Sequence, residues 1–143
     1  MTGTSATAFS PDLTTSRAMI MTILARLDGA DTASTGGIWY EKGMAWAVQN
    51  GVSDGSDPEA DITREQLAVM LYRYAQRRGG AVSASADLSG YADASSVSAW
   101  ALDALRWAVF EGIITGTTST TLTPQGHATR AEAATMLMRY LES

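Results

Sequence analysis

The sequence predicts an all-α protein made of tandem helix–loop–helix repeats, on three observations. An arginine recurs in three matching settings, Ser16-Arg17-Ala18, Thr63-Arg64-Glu65 and Thr129-Arg130-Ala131. The same apolar face follows each of them. Two tryptophan pairs of equal spacing, Trp39/Trp46 and Trp100/Trp107, head the stretches between the arginines. Internal repetition of this kind is the signature of stacked supersecondary units that share one core.

The first helix begins at Arg17, where Ile20, Ile23, Leu24 and Leu27 occupy the i, i+3, i+4 and i+7 positions of one face. Ser16 is its cap, but Met19 three residues on leaves half of a capping box missing. Next comes a segment running from Trp39 through Trp46 to Gly51, read as a helix that stops at a glycine able to take the left-handed conformation. Trp39 and Trp46, seven residues apart, are placed on one face of it, the first near the helix start and the second in the core. Arg64 opens the third helix, with Leu67, Met70, Leu71 and Tyr74 on the apolar face and Thr63 with Gln66 as a full capping box. A Gly/Ala/Ser linker follows, and then Trp100 to Gly112 repeats the segment that began at Trp39. Arg130 opens the last helix, with Ala133, Met136, Leu137 and Tyr140 inward and Thr129 with Glu132 as the capping box. Arg26, Arg73 and Arg139 coincide on the three arginine-headed helices.

The repeat unit is thus a first helix, a glycine turn, a loop and a second helix. The boundaries expected are 1–28 for a partial repeat, 29–78 and 87–143 for complete ones, and 79–86 for the linker. The partial repeat lacks its first helix. From glycine to arginine is 14 residues in both Gly3–Arg17 and Gly116–Arg130, but nine in Gly55–Arg64, which predicts a second loop without the proline-bearing segment.

The three arginines stand at the first helical position, where the helix dipole slightly disfavours a cation. Two readings follow: a guanidinium beside free helix amides suits a carboxylate or other anion, and an exposed or interdomain salt bridge would retain the same residue. Composition narrows the field. The net charge is −5, Lys42 is the only lysine, and the nine arginines are scattered, so no basic stripe is available to track nucleic acid. The preference for arginine hints at bidentate carboxylate recognition, but a GC-rich genome gives the same bias and is the preferred reading. No apolar run approaches the roughly 20 residues that span a bilayer, so membrane insertion is not expected. No basic-then-apolar leader opens the chain, and Met1-Thr2-Gly3-Thr4 reads as the middle of a repeat. There is no cysteine, which excludes thiolate chemistry and cysteine–zinc sites. Asp54, Asp57, Glu59 and Asp61 share one loop without the spacing of an EF-hand, and His127 has no second ligand type beside it, so no metal or cofactor is expected. Nothing assembles a catalytic set, and the protein is read as a non-enzyme.

The order of these elements resembles the S-layer homology family, whose motif runs through an aromatic-x-Asp, Trp-Ala, a Gly-Ile-x-x-Gly turn, Phe-x-Pro and Ile-Thr-Arg-Ala-Glu. The third copy carries Tyr91-Ala92-Asp93, Trp100-Ala101, Gly112-Ile113-Ile114-Thr115-Gly116, Leu122-Thr123-Pro124 and Ala128-Thr129-Arg130-Ala131-Glu132. The second carries Trp39-Tyr40, Gly51-Val52-Ser53-Asp54-Gly55 and Ile62-Thr63-Arg64-Glu65-Gln66, and the first only Gly3, Phe9-Ser10-Pro11 and Ser16-Arg17-Ala18. The resemblance implies a pseudo-threefold bundle with the second helices central and the first helices outside. It implies grooves between repeats that bind secondary cell-wall polysaccharide, often pyruvylated, and hold surface proteins on the bacterial cell wall, outside the cell. Arg17, Arg64 and Arg130 would then contact the ligand's carboxylate, Trp39 and Trp100 would pack on sugar, and Asp31 and Asp93 would bind hydroxyls. At most two such grooves are expected, because the first copy lacks its first helix and with it the Trp and Asp of the motif. The missing first helix should leave apolar surface exposed on the helix that begins at Arg17, to be covered by a homodimer or a partner segment. The alternative function is a structural or protein-interaction module that keeps the fold without binding glycan.

Overall fold

Each second helix begins at its arginine because the residue before it supplies a cap. The computed structural model describes residues 13–33, 36–80, 86–114 and 121–142. Its helices are α1 (Arg17–Leu27), α2 (Glu41–Gln49), α3 (Arg64–Arg77), α4 (Leu102–Phe110) and α5 (Arg130–Glu142). Two 3-10 turns, Ala94–Ser96 and Ala99–Ala101, precede α4. Among the described residues there is no strand, and no helix is long and apolar enough to cross a membrane. The all-α expectation holds.

The caps have the expected chemistry. Thr63 Oγ1 accepts from the Gln66 amide at 3.2 Å while Gln66 Oε1 accepts from the Thr63 amide at 2.9 Å, and Thr129 and Glu132 repeat this at 3.2 and 3.1 Å. Ser16 supplies only its own half of the box, to the Met19 amide. At the other end, α2 and α4 stop at Gly51 (φ 70°) and Gly112 (φ 75°). The next amides, Val52 and Ile113, reach back to Ala47 and Ala108 at 2.9 and 2.8 Å, closing both helix ends in the same way.

The repeats are tied together at the starts of the second helices. Thr15 N–H donates to Ala128 C=O (3.1 Å), Ala128 N–H to Ile62 C=O (3.0 Å), and Ile62 N–H to Thr15 C=O (2.7 Å). These residues each stand two before an arginine, so the three bonds form a closed pseudo-threefold ring. A second ring surrounds it: Arg17, Arg64 and Arg130 N–H donate to Ala60, Gly126 and Leu13 C=O at 2.9, 2.8 and 2.8 Å. The first amides of a helix have no partner inside it, and here the neighbouring repeat provides one. The incomplete first copy takes its full place in both rings.

That register corrects one expectation. The Ala18 amide donates to Pro58 C=O (2.8 Å) as the Glu65 amide donates to Pro124 C=O (3.0 Å). Pro58 and Pro124 are each six residues before their arginine. The second loop therefore keeps its proline, and its deletion lies nearer the glycine. The residues before these prolines, Asp57 (φ 45°) and Thr123 (φ 51°), share a left-handed backbone. Gly3, Phe9-Ser10-Pro11 and Thr115-Gly116 lie outside the described residues.

Helices pair across repeats: α1 packs on α2, and α3 on α4. Gly43 of α2 permits the closest approach, since a Cβ there would lie 2.5 Å from Thr22 Oγ1 and 2.8 Å from Thr22 Cα of α1. Trp46 and Trp107 are buried and join an aromatic chain, Trp46–Tyr74–Tyr140–Trp107–Tyr72, with ring centroids 5.6–6.1 Å apart. Trp39 and Trp100 are not on the same helix face as these. Trp39 lies in the turn before α2 and Trp100 in a 3-10 turn before α4, and both are more than half exposed.

The pairing also moves the expected apolar gap. α1 is well covered, with Ala18, Ile20, Met21, Thr22, Leu24 and Ala25 buried. Each second helix takes the first helix of the following copy, so the gap falls on α5. Its Met138 and Leu141 are 53% and 59% exposed and, with Leu27 of α1, border an open apolar cleft of about 470 Å³.

Candidate functional site

Pairing α3 with α4 while the two hydrogen-bond rings hold Arg17 against the second loop leaves a groove of about 280 Å³. Its walls come from three copies: Arg17, the 52–56 loop with the outer face of α3, and Trp100.

Arg17 is aimed by the loop. Its Nε donates to Ser56 C=O at 3.0 Å, and its terminal nitrogen lies 3.6 Å from Asp54 Oδ1. Asp54 is itself held by the Ser56 hydroxyl (2.7 Å) and amide (2.9 Å). The Ser56 hydroxyl and then its amide hold the Asp54 carboxyl below its ordinary value, with Arg17 adding to them. On α3, Gln66 and Arg73 point into the groove. Arg73 is exposed and has no hydrogen bond or ion pair among the described residues.

Trp100 is positioned from a distance. Buried Glu65 at the start of α3 accepts from Ser98 N–H (3.0 Å) and Ser98 Oγ (2.5 Å), which pins the turn that carries Trp100. Gln125 Nε2 donates to the same carboxylate at 3.2 Å. Trp100 is 60% exposed, leaving an indole face free at the groove.

The other expected site residues are placed differently. Arg64 is only 7% exposed; its Nε donates to Leu122 C=O at 3.0 Å and its guanidinium is paired with Glu132. Arg130 takes the same place in the outer ring. Asp93 accepts from the Leu122 and Thr123 amides, both at 2.8 Å, and the Leu122 amide above all keeps its carboxyl low. It clamps the loop before Pro124. Asp31 accepts from the Ala33 amide and pairs with Lys42 at 3.2 Å, and the Ala33 amide contributes most to lowering its pKa. Trp39 stands edge-on to Tyr40, with centroids 5.2 Å apart.

Of the seven ligand residues the sequence suggested, the groove therefore joins Arg17 and Trp100. Arg73 and Asp54 were not among the seven. The coincidence of Arg26, Arg73 and Arg139 was the signal for the first. Asp54 was visible only as one of four loop carboxylates.

Two guanidiniums, one carboxylate and an exposed indole on one concave surface suit an acidic carbohydrate: a sugar face stacks on the ring, hydroxyls bond to the carboxylate, and an anionic group bonds to the cations. Residues 90–134 match the family model described as S-layer homology domain. The chain carries an S-layer homology domain. That stretch includes Trp100, Asp93 and the start of α5, and the order of elements in the other copies follows the same plan. The chain is 30% identical over 152 residues to an endoglucanase of Bacillus sp. (strain KSM-635), covering 99% of this chain and 16% of that protein. It is 33% identical over 113 residues to the surface-layer 125 kDa protein of Lysinibacillus sphaericus, covering 73% of this chain and 9% of that one. An amylopullulanase of Thermoanaerobacterium thermosulfurigenes is 28% identical over 159 residues, or 98% of this chain and 8% of the relative. The S-layer homology segment thus spans less than a fifth of each of these relatives.

Proposed function

We propose that this S-layer homology domain is a non-catalytic anchor that holds its bearer to the bacterial cell wall by binding an acidic wall polysaccharide. The observation that carries the reading is the groove in which Arg17, Arg73, Asp54 and the exposed Trp100 converge. The relatives support it as well. Proteins named as an endoglucanase, an amylopullulanase and a surface-layer protein each match this chain over less than a fifth of their length, which favours a function other than any one of their named activities. An attachment function would serve all three. In this reading the protein works outside the cell, at the wall.

In this reading Trp100 stacks on a pyranose face, Arg17 and Arg73 take the carboxylate of a substituent such as a pyruvate ketal, and Asp54 takes hydroxyls. Trp39 stands to α1 as Trp100 stands to α3, and with Asp31 and Arg130 it is the second candidate groove. Arg64 and Asp93 serve the fold first. Co-sedimentation with purified wall polysaccharide tests this. Arg73→Ala and Trp100→Ala should each weaken binding by roughly 10- to 100-fold, on the order of one charged hydrogen bond or one stacked ring. Removing the ketal by mild acid should do the same. Absence of binding by the folded wild type would defeat the proposal.

The uncovered face of α5 favours a second reading, a protein-interaction module. Its natural partner is a helix of the α2 or α4 type from a second copy or a neighbouring segment. A stable monomer at all concentrations in sedimentation would remove the homodimer.

A further inference from the structure

The three second helices differ at their third residue, which is Met19 in α1, Gln66 in α3 and Glu132 in α5. We propose that this residue decides whether the arginine of the preceding repeat is available to an anionic ligand, so that Gln66 leaves the Arg17 groove open and Glu132 closes the groove at Arg64. The inference rests on the glycan-binding function proposed above and names the residue that selects between its grooves.

The two arginines are held alike, although the Arg64 site has no turn of the Trp100 kind after α5 among the described residues. Arg17 Nε donates to Ser56 C=O and Arg64 Nε to Leu122 C=O, both at 3.0 Å, and both acceptors stand eight residues before the next arginine. The capping box is the same in both helices, with the side-chain oxygen at the third position accepting the cap amide at 2.9 Å for Gln66 and 3.1 Å for Glu132. The difference lies in the other terminal atom. In Glu132 it is a second carboxylate oxygen, and it is paired with Arg64. In Gln66 it is an uncharged NH₂ with no partner among the described residues, and the side chain lines the groove beside Arg17.

A ligand carboxylate approaching Arg64 must therefore expel Glu132, whose other oxygen is tied to the backbone at Thr129 and whose side chain is only 35% exposed. At Arg17 the competing carboxylate is Asp54, which is 73% exposed and 3.6 Å away. A pair this long with one partner so exposed is weak and is readily exchanged for another anion. Gln66 adds a neutral donor that favours a carboxylate or hydroxyl. One atom, oxygen or nitrogen, separates a self-neutralised arginine from a receptive one.

Glutamate and glutamine serve equally in the capping box, so Gln66→Glu and Glu132→Gln change the gate while preserving the helix start. The probe is a size-fractionated, pyruvylated wall polysaccharide, titrated calorimetrically. Wild type is expected to bind at a site that Arg17→Ala removes, with any binding at the Trp39 groove left in place. Gln66→Glu should weaken it roughly tenfold or more, as expected when a fixed anion competes with the ligand. Glu132→Gln should keep that site and add a weaker one that Arg64→Ala abolishes. Unchanged affinity in Gln66→Glu, or wild-type binding lost in Arg64→Ala but kept in Arg17→Ala, overturns the gate while leaving glycan binding intact.

Wild type that binds no polysaccharide overturns the proposed function instead, and a ligand-free measurement then judges the gate. Gln66→Glu should raise the melting temperature by forming a new pair with Arg17, a gain that vanishes in the Arg17→Ala background. Identical shifts in both backgrounds would show that the third residue does not reach the arginine.

Discussion

At the residue scale, the buried charges of Arg64 and Glu65 are matched between repeats, and two further residues show what such matching is worth. Asp28, the residue that ends α1, accepts from Trp46 Nε1 at 3.1 Å, from Arg77 at 2.7 Å and from Arg78 at 3.4 Å. The hydrogen bond from Arg77, opposed by burial and reinforced by Trp46, lowers its pKa from the ordinary 3.8. A carboxyl whose folded pKa is depressed stabilises the fold above its unfolded pKa and loses that contribution as pH falls through the folded value. Melting temperatures should therefore drop below about pH 4 in wild type, and Asp28→Asn should start lower at pH 7 by about 1 kcal/mol of stability and fall less steeply with acid. An equal acid slope in the variant would exclude Asp28 as a source. Thr15 is the opposite case. It stands in the inner ring where the other copies have Ile62 and Ala128, and its buried hydroxyl has no partner among the described residues. Thr15→Val keeps the shape and removes the orphan, so denaturant unfolding should show a gain of about 1 kcal/mol.

At the scale of elements, local rules place the helices and close approach sets how they pair. Alanine is ordinarily a better helix residue than glycine by about 1 kcal/mol. Gly43 in the first turn of α2 should break that rule, because a methyl there meets the Thr22 backbone of α1 at 2.8 Å. Overpacking of this kind costs about 1–3 kcal/mol, so Gly43→Ala should lower stability despite the better propensity, and Gly43→Val should lower it further. A stabilised Gly43→Ala would mean that α2 does not sit against α1 at this distance. The caps contribute in the usual direction: Thr63→Ala and Thr129→Ala should each cost about 1 kcal/mol.

For the whole molecule, the pseudo-threefold rings join three second helices, while the described residues include two first helices to cover them. The uncovered position is on α5, where Met138 and Leu141 face outward. A synthetic peptide spanning residues 98–113, which carries the first helix of the third copy, should raise the melting temperature of the chain when added in excess. Met138→Glu with Leu141→Glu should abolish that gain and change the stability of the chain alone by about 0.5 kcal/mol or less, as for other exposed positions. No response to the peptide would argue that the face is covered in another way.

Much of this was legible from the sequence alone, and the parts that were not have a common cause. The apolar periodicity after Arg17, Arg64 and Arg130 and the glycines at 51 and 112 determined five helices and most of their ends, because helix signals act over one or two turns. The capping residues Thr63, Gln66, Thr129 and Glu132 did so for the same reason. Tertiary structure alone decided that a second helix takes the first helix of the following copy, which moved the apolar gap from α1 to α5. It aligned Pro58 with Pro124 through backbone bonds that a count from the preceding glycine could not register. It also gave the recurring arginines unequal surroundings, pairing Arg64 with Glu132 across 68 residues while leaving Arg17 at an open groove. The repeat is written in local patterns, but the site lies between repeats, where partners distant in sequence are brought together by the hydrogen-bond rings that close the fold.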